Sequence, residues 1–393
     1  MRFAPRVADY SGPGSGGWSV QQEAAVLRDS GHDVIFLTIG DPDQPTPSPV
    51  IEATIAALRR GRTGYGSMVG HPQLRAAVAA RFASRTGRPC AAENVTVTTG
   101  AQGGLYCAMQ CLVGPGDEVI VPEPAYATYQ GVLAASGAEM VMVPLPAERG
   151  FHPDLDSISG AVTPRTRVVW INSPHNPTGA VFTPDEIAGI AEICRRHDLW
   201  LVSDEVYEDL AFARPHLSPW SLPDMAERTI VVSSLSKSHS MPGFRLGWII
   251  GPPALGRHLF VLLLSMTYGT PPFIQEGALA ALSAELPEVA ALRDDYRRRA
   301  GLMSGILAAA PNCRPIPLEG GMFVLLDIRG TGMAAQQFAS ALLESEDVAV
   351  LPCDAFGPSA AGHLRISLTE PDARLAEAGR RIVRFAQRLA GGR

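Results

Sequence analysis

The sequence predicts an α/β protein: a large domain on a mostly parallel, mixed sheet, with a smaller α+β domain beside it. Three observations carry this. Short β-branched runs alternate with helical stretches through the middle of the chain, the order that parallel strands with right-handed crossovers require. Those runs are near-continuously apolar, as strands covered on both faces are. After a long charged and alanine-rich stretch at 286–309 the rhythm changes to a second group of strands and helices. The 393 residues suit two domains, at roughly 100 to 200 residues each.

In chain order, Met1 to Val20 is Gly- and Ser-rich with no continuous apolar block, so no secretory signal is expected. Gly12, Gly14 and Gly17 satisfy a G-x-G-x-x-G pattern. No strand precedes them, and with Pro13 they read as a flexible arm, because a dinucleotide fingerprint sits between a strand and a helix. Strands are expected at 94–98, 118–121, 140–143, 167–171, 199–203, 229–232 and 245–250. Helices are expected at 103–112, 126–135 and 184–196. Beyond the 286–309 helix, strands are expected at 322–327, 348–351 and 364–368, with helices at 334–344 and 372–390. The expected division is a large domain at 45–280, and a small domain with an N-terminal arm from 1–44 and 281–393.

Composition narrows the function. The chain is 46% hydrophobic and 18% charged with a net charge of −6, which excludes an electrostatic nucleic-acid binder and a polybasic membrane surface. Its most apolar stretch, His258 to Met266, is far shorter than the ~20 residues a bilayer needs. The cytoplasm is the expected compartment. Six cysteines include no C-x-x-C pair and read as buried free thiols, with no metal site expected. All but one of the 33 basic residues are arginine, and the exception is Lys237. Arginine stays protonated in proteins, whereas a lysine amine can lose its proton and attack a carbonyl. A lone lysine in such a chain marks a site that needs the second behaviour.

Four segments at strand ends surround that idea. Ser233 to Arg245 puts serines on both sides of Lys237 and an arginine eight residues on, a set suited to a phosphate. Thr98-Thr99-Gly100-Ala101-Gln102 joins a strand to a helix, whose free N–H groups attract anions. Asn172 to Gly179 and Ser203 to Tyr207 follow two further strands. An acid there, Asp204, could hold a ring nitrogen protonated, which makes the ring an electron sink. Asn176 and Tyr207 could hydrogen-bond a phenolic oxygen on the same ring.

The phrases N-S-P-H-N-P-T-G (172–179), S-D-E-V-Y (203–207) and S-L-S-K-S (234–238), in this order, resemble the fold-type I, class I/II pyridoxal-phosphate (PLP)-dependent aminotransferases. The resemblance runs over nearly the whole chain. It implies that Lys237 joins the cofactor aldehyde and shuttles the substrate proton, and that Asp204 pairs with the pyridine nitrogen. It places Asn176 and Tyr207 on the ring oxygen, and Ser234, Ser236, Arg245, Gly100, Ala101 and Gln102 on the phosphate. Tyr126 looks like the aromatic stacked on the ring. Tyr65 is similar to the tyrosine that reaches the partner subunit's phosphate, which implies a homodimer with shared active sites. Arg365 and the backbone of Gly40 match the family's grip on the substrate carboxylate, leaving His175, His239 and Asp41 as structural or supporting residues.

Further phrases, including A-F-G-P-S-A-A-G-H (355–363), resemble family members that act on arginine with pyruvate, or on the arginine-like enduracididine. The resemblance therefore implies amino transfer between a basic L-amino acid and a 2-oxo acid such as pyruvate. A β-lyase or an arginine oxidase or hydroxylase on the same scaffold is the alternative. The N-terminal arm, which covers the active site in this family, here reads Gly12–Val20, with Trp18 as its one large aromatic. Glu23 and Asp9 are candidate partners for a guanidinium by location. Met241-Pro242-Gly243-Phe244 departs from the commoner M-T-G-W or M-A-G-W, so the loop beside the phosphate is expected to pack differently.

Overall fold

The structure is a computed structural model and describes Tyr10 and residues 18–391. Along these residues run α1 (Ser19–Asp29), β1 (Ile35–Leu37), α2 (Ser48–Arg59), α3 (Pro72–Thr86), β2 (Val95–Thr98), α4 (Gly100–Leu112) and β3 (Glu118–Glu123). Next come α5 (Tyr129–Ser136), β4 (Glu139–Pro144), α6 (Leu155–Gly160), β5 (Thr166–Asn172), α7 (Pro184–Arg196), β6 (Trp200–Asp204), β7 (Thr229–Ser234) and β8 (Gly247–Ile250). The chain continues through α8 (Pro253–Met266), α9 (Pro272–Ser283), α10 (Pro287–Leu307), β9 (Arg314–Pro315) and β10 (Phe323–Asp327). It ends with α11 (Ala335–Glu346), β11 (Val348–Pro352), β12 (His363–Ser367) and α12 (Asp372–Gly391).

Seven strands form one sheet in the order β2-β8-β7-β6-β5-β3-β4. Only β8 runs against its neighbours, β2 and β7. The carboxyl ends of β2, β5, β6 and β7 therefore share one edge, where open α/β sheets hold ligands. Nearly all residues of β2, β3, β5, β6, β7 and β8 are buried, which explains their unbroken apolar runs. A second sheet, β1-β11-β12-β10-β9, has its own apolar core, with α10, α11 and α12 packed on it.

Local chemistry fixes the element ends. In α7, Thr183 Oγ1 accepts the Glu186 N–H at 3.2 Å and the Thr183 N–H returns to Glu186 Oε2 at 2.7 Å. This reciprocal cap and Pro184 in the first turn start the helix where the sequence places it. In α12, Leu375, Ala378, Gly379, Ile382, Phe385 and Ala386 form one buried face at helical spacing.

All ten expected strands are found, with ends displaced by one or two residues. The 245–250 run is corrected: Arg245 lies outside β8, in the left-handed region (φ 49°), after a turn over Pro242–Phe244. The 94–98 run starts one residue later, because Asn94 closes a turn by accepting the Ala91 N–H at 2.9 Å. The 126–135 helix starts at Tyr129, after a turn that carries Tyr126. Seven elements were not anticipated: β1, α2, α3, α6, α8, α9 and β9. Three residues of β1 carry no readable period, and its pairing with β11 is a long-range event.

Candidate active site

One corner of the shared sheet edge is built for an anion. α4 begins at Gly100, in the left-handed region (φ 74°). A Cβ there would stand 2.4 Å from Arg245 Nη2, so only glycine lets the guanidinium close on the helix N-terminus. Gly247 is equally constrained, since a Cβ would meet the Ala101 nitrogen at 2.6 Å. Ala101, Gln102, Ser234 and Ser236 line the same cavity. Arg245 is anchored by Nη1, which donates to the Pro242 carbonyl at 2.8 Å, and remains exposed. Hydroxyls, a guanidinium and free helix N–H groups converge as a phosphate requires.

Beside this corner, Asp204 ends β6 and is 5% exposed. Burial pushes its carboxyl up to about 6, against hydrogen bonds that hold it down. Those come from the Tyr129 hydroxyl at 2.7 Å and the Val206 N–H at 3.2 Å. Asn172 Nδ2 donates to the Asp204 carbonyl at 2.9 Å, and Asn172 Oδ1 accepts the Asn176 N–H at 2.8 Å. The Tyr129 ring is stacked on Trp170 with centroids 3.9 Å apart, and Tyr126 meets it edge-on at 5.8 Å. Asn176 Nδ2 lies 3.5 Å from the buried Tyr207 hydroxyl.

Lys237 faces these groups across a cavity of about 150 Å³. Burial lowers its amine to about 8, against the pull of Asp41. Nζ donates to the Gly40 carbonyl at 2.5 Å. Gly40 is itself forced to be small, because a Cβ would stand 2.4 Å from Phe323 Cζ.

Arg365, from β12, is 3% exposed and lies between two phenyl rings, 4.0 Å from the Phe323 centroid and 5.1 Å from that of Phe356. Nη1 donates to Asn176 Oδ1 at 3.0 Å and Nη2 to the Thr38 carbonyl at 2.6 Å, both neutral acceptors. Its buried Nε has no partner among the described residues. Burying a cation this way is costly unless a ligand anion completes it. A pyridine aldehyde with a phosphate tail fits the whole donor set: the phosphate corner, a buried carboxylate for a ring N–H, and a desolvated amine for the aldehyde. The unpartnered Arg365 Nε leaves a donor for a substrate carboxylate.

Lys237, Asp204, Asn176, Tyr207, Tyr126, Ser234, Ser236, Arg245, Ala101 and Gln102 all line this one cavity. Gly100 adjoins it through Arg245, and Arg365 and Gly40 through Asn176 and Lys237. Tyr65 does not join them. It is 86% exposed, with its ring 5.1 Å from that of Tyr268. Trp18 is half-buried before α1, on the apolar cluster that Tyr126 also packs against. Glu23 is exposed on α1. Asp9, Gly12, Pro13, Gly14 and Gly17 lie outside the described residues. His175 and His239 are buried, bonded to Thr178 and Ser238. The six cysteines are free thiols, three buried and three half-buried.

Sequence reasoning missed Tyr129 and Asn172. Tyr129 stands three residues after Tyr126, and Asn172 four before Asn176, so both shared a turn with a residue already singled out.

The sequence profile of the family "aminotransferase class I and II" matches residues 32–382. Arginine–pyruvate transaminase of Pseudomonas aeruginosa is 47% identical over 391 residues, covering all of both chains. Aspartate/prephenate aminotransferase of Thermus thermophilus is 34% identical, over 94% of this chain and 95% of its own. Among solved structures, aspartate aminotransferase from Thermus thermophilus with maleate superimposes with a TM-score of 0.93 at 34% identity, covering 98% of this chain and 100% of that one. Aromatic aminotransferase from Pyrococcus horikoshii gives 0.88 at 33% identity, covering 93% and 99%.

Proposed function

The chain belongs to the class I and II aminotransferases, enzymes that depend on pyridoxal phosphate, and from that premise we propose that it moves the amino group of L-arginine, or a close arginine-like amino acid, to pyruvate. The observation that carries the substrate is the full-length 47% identity to an arginine–pyruvate transaminase, against 34% to an aspartate/prephenate enzyme.

When bound, the cofactor supplies an aldehyde that takes the amine and a ring that draws electrons from the substrate Cα. The chain supplies the rest. Lys237, with a pKa of about 8, is neutral in a useful fraction of molecules near neutral pH, and its Nζ takes the Cα proton. Asp204 holds the ring nitrogen protonated, and Asn176 and Tyr207 hold the ring oxygen. Tyr126 covers the ring face. Ser234, Ser236, Arg245 and the α4 N-terminus, from Gly100 through Ala101 and Gln102, hold the phosphate. Arg365 grips the α-carboxylate of donor and acceptor alike, its fork matching two oxygens, with Gly40 beside it, and Trp18 of the arm is a further substrate contact in this reading.

The same reading makes the enzyme a homodimer in which Tyr65 reaches the neighbouring phosphate. Tyr65, Tyr268, Phe260 and Val261 are large and exposed, as a contact surface would leave them in one chain. It divides the chain into a large domain at 45–280 and a small domain with its arm from 1–44 and 281–393, and places it in the cytoplasm. No described helix is long and apolar enough to cross a membrane.

The test is a half-reaction screen. The cofactor-loaded protein is given single amino acids without an acceptor, and its absorption is followed. Arginine converts the lysine-linked cofactor to its amine form, and pyruvate added next yields alanine. If aspartate or aromatic amino acids do this and arginine does not, the substrate reading fails. Lys237→Ala loses the lysine-linked spectrum and at least the roughly 10²- to 10⁴-fold that a positioned proton-transfer group supplies.

A further inference from the structure

The carboxylate of Glu123 takes no part in the chemistry above, yet it is 2% exposed at the end of β3. It reaches out of the seven-stranded sheet to the 353–362 connection between β11 and β12 of the other sheet. Ser359 Oγ donates to Oε1 at 2.5 Å and the Ser359 N–H donates to Oε2 at 3.2 Å. Gly357, in positive-φ backbone (φ 134°), passes so close that a Cβ would stand 2.3 Å from Oε2. Two residues beyond Glu123, the Ala125 N–H donates to the Phe356 carbonyl at 2.7 Å.

Each side of this junction carries a wall of the site. The connection carries Phe356, one of the two rings that sandwich Arg365. The strand end carries Tyr126, which lines the cavity. A buried carboxylate is expensive to desolvate, and neutral donors alone repay it poorly. Bonds to an ionised acceptor are also about twice as strong as neutral ones. The arrangement trades that cost for a fixed loop. We propose that Glu123 is a positioning residue for α-carboxylate recognition: it pins the 356–359 loop to the Tyr126 segment and so keeps Phe356 against Arg365. The inference rests on Arg365 being the carboxylate grip. Both substrates of an amino transfer carry an α-carboxylate, so loosening the loop weakens both together and leaves the cofactor site as it was.

The experiment compares Glu123→Ala, Glu123→Gln and Ser359→Ala with the wild type, all as the cofactor-loaded enzyme. It reads KM for the amino donor and the oxo acid, kcat, the absorption spectrum, and the inhibition constant of propionate, a carboxylate with neither an amino nor an oxo group. Glu123→Ala raises both KM values and the propionate constant by about tenfold, the size of one charge-assisted hydrogen bond, with kcat and spectrum near wild type. Glu123→Gln recovers most of this, since an amide oxygen accepts the Ser359 N–H and an amide N–H meets Ser359 Oγ. Ser359→Ala, which removes one of the two donors to Glu123 from a half-buried position, gives an intermediate shift and decides the matter if Glu123→Ala does not fold. A fall in melting temperature with an unmoved propionate constant in Glu123→Ala or Ser359→Ala overturns the proposal. So does a changed spectrum or kcat with propionate unmoved. If propionate does not compete with substrate in the wild type, the Arg365 reading falls and takes this inference with it, whereas a failure confined to the variants leaves that reading intact.

Discussion

At the scale of single residues, the site is governed by burial. Asp204 and Lys237 are both desolvated, which raises the acid to about 6 and lowers the amine to about 8. Tyr129 tempers the first by donating to Asp204 at 2.7 Å. Tyr129→Phe removes a bond that lowers this pKa, so the acid limb of the kcat/KM profile moves to higher pH, and a full pH–rate profile reads the shift. The stability cost is about 1 kcal/mol. Lys237, Asp204 and Asn176 were legible because strand-end phrases carry them, and Lys237 also because arginine replaces lysine everywhere else; Arg365, inside β12, was legible only through the family resemblance. Tyr129 was not, because a tyrosine inside an apolar helix reads as core until its hydroxyl partner is seen. The environment of Arg365 was equally hidden: Phe323 and Phe356 come from different segments, and nothing in their spacing says that they enclose a guanidinium.

At the scale of elements, the large sheet was readable because its strands are apolar on both faces and its helices begin and end on strong local signals, as α7 does. What escaped was decided by tertiary contact. Three-residue β1 exists because β11 pairs with it, and α8 and α9 lie between proline-led turns without a polar face distinct enough to mark them. Arg245 was assigned to a strand because its neighbours are apolar, whereas a left-handed turn sends it to the α4 N-terminus instead. The close approach of β8 to α4 gives a sharp expectation. Gly247→Ala drives a methyl into backbone that cannot move aside, at 2.6 Å from the Ala101 nitrogen. Overpacking of this kind costs about 1–3 kcal/mol. Because the displaced atoms belong to the anion corner, cofactor dissociation should rise along with the loss in melting temperature, and equilibrium dialysis of the cofactor checks it.

At the scale of the molecule, the two sheets are tied by polar links as well as by apolar contact. His152 sits between Glu186 of α7, at 2.9 Å, and Glu319 of the segment leading into β10, at 3.2 Å, where Arg214 also binds Glu319. Hydrogen bonds to Glu186 and Glu319 raise His152 to about 9 against the opposing effect of burial. A raised histidine stabilises the fold fully below its unfolded pKa of about 6.5, and the contribution is lost as pH climbs through 9. The melting temperature of His152→Gln should therefore fall furthest below wild type near pH 6, by the equivalent of about 1–2 kcal/mol, and the gap should narrow by pH 10. A gap that is constant across that range would mean that packing against Phe182, and not charge, is what His152 contributes.

The arginine-for-lysine bias has a consequence for stoichiometry. Carbonyl compounds ordinarily modify many surface amines on a protein, and a cofactor aldehyde in excess decorates the outside as well as the active site. On this chain no other side chain bears a primary amine. Reductive trapping of the loaded enzyme should place one side-chain adduct per chain, at residue 237, and leave the arginine-coated exterior clean.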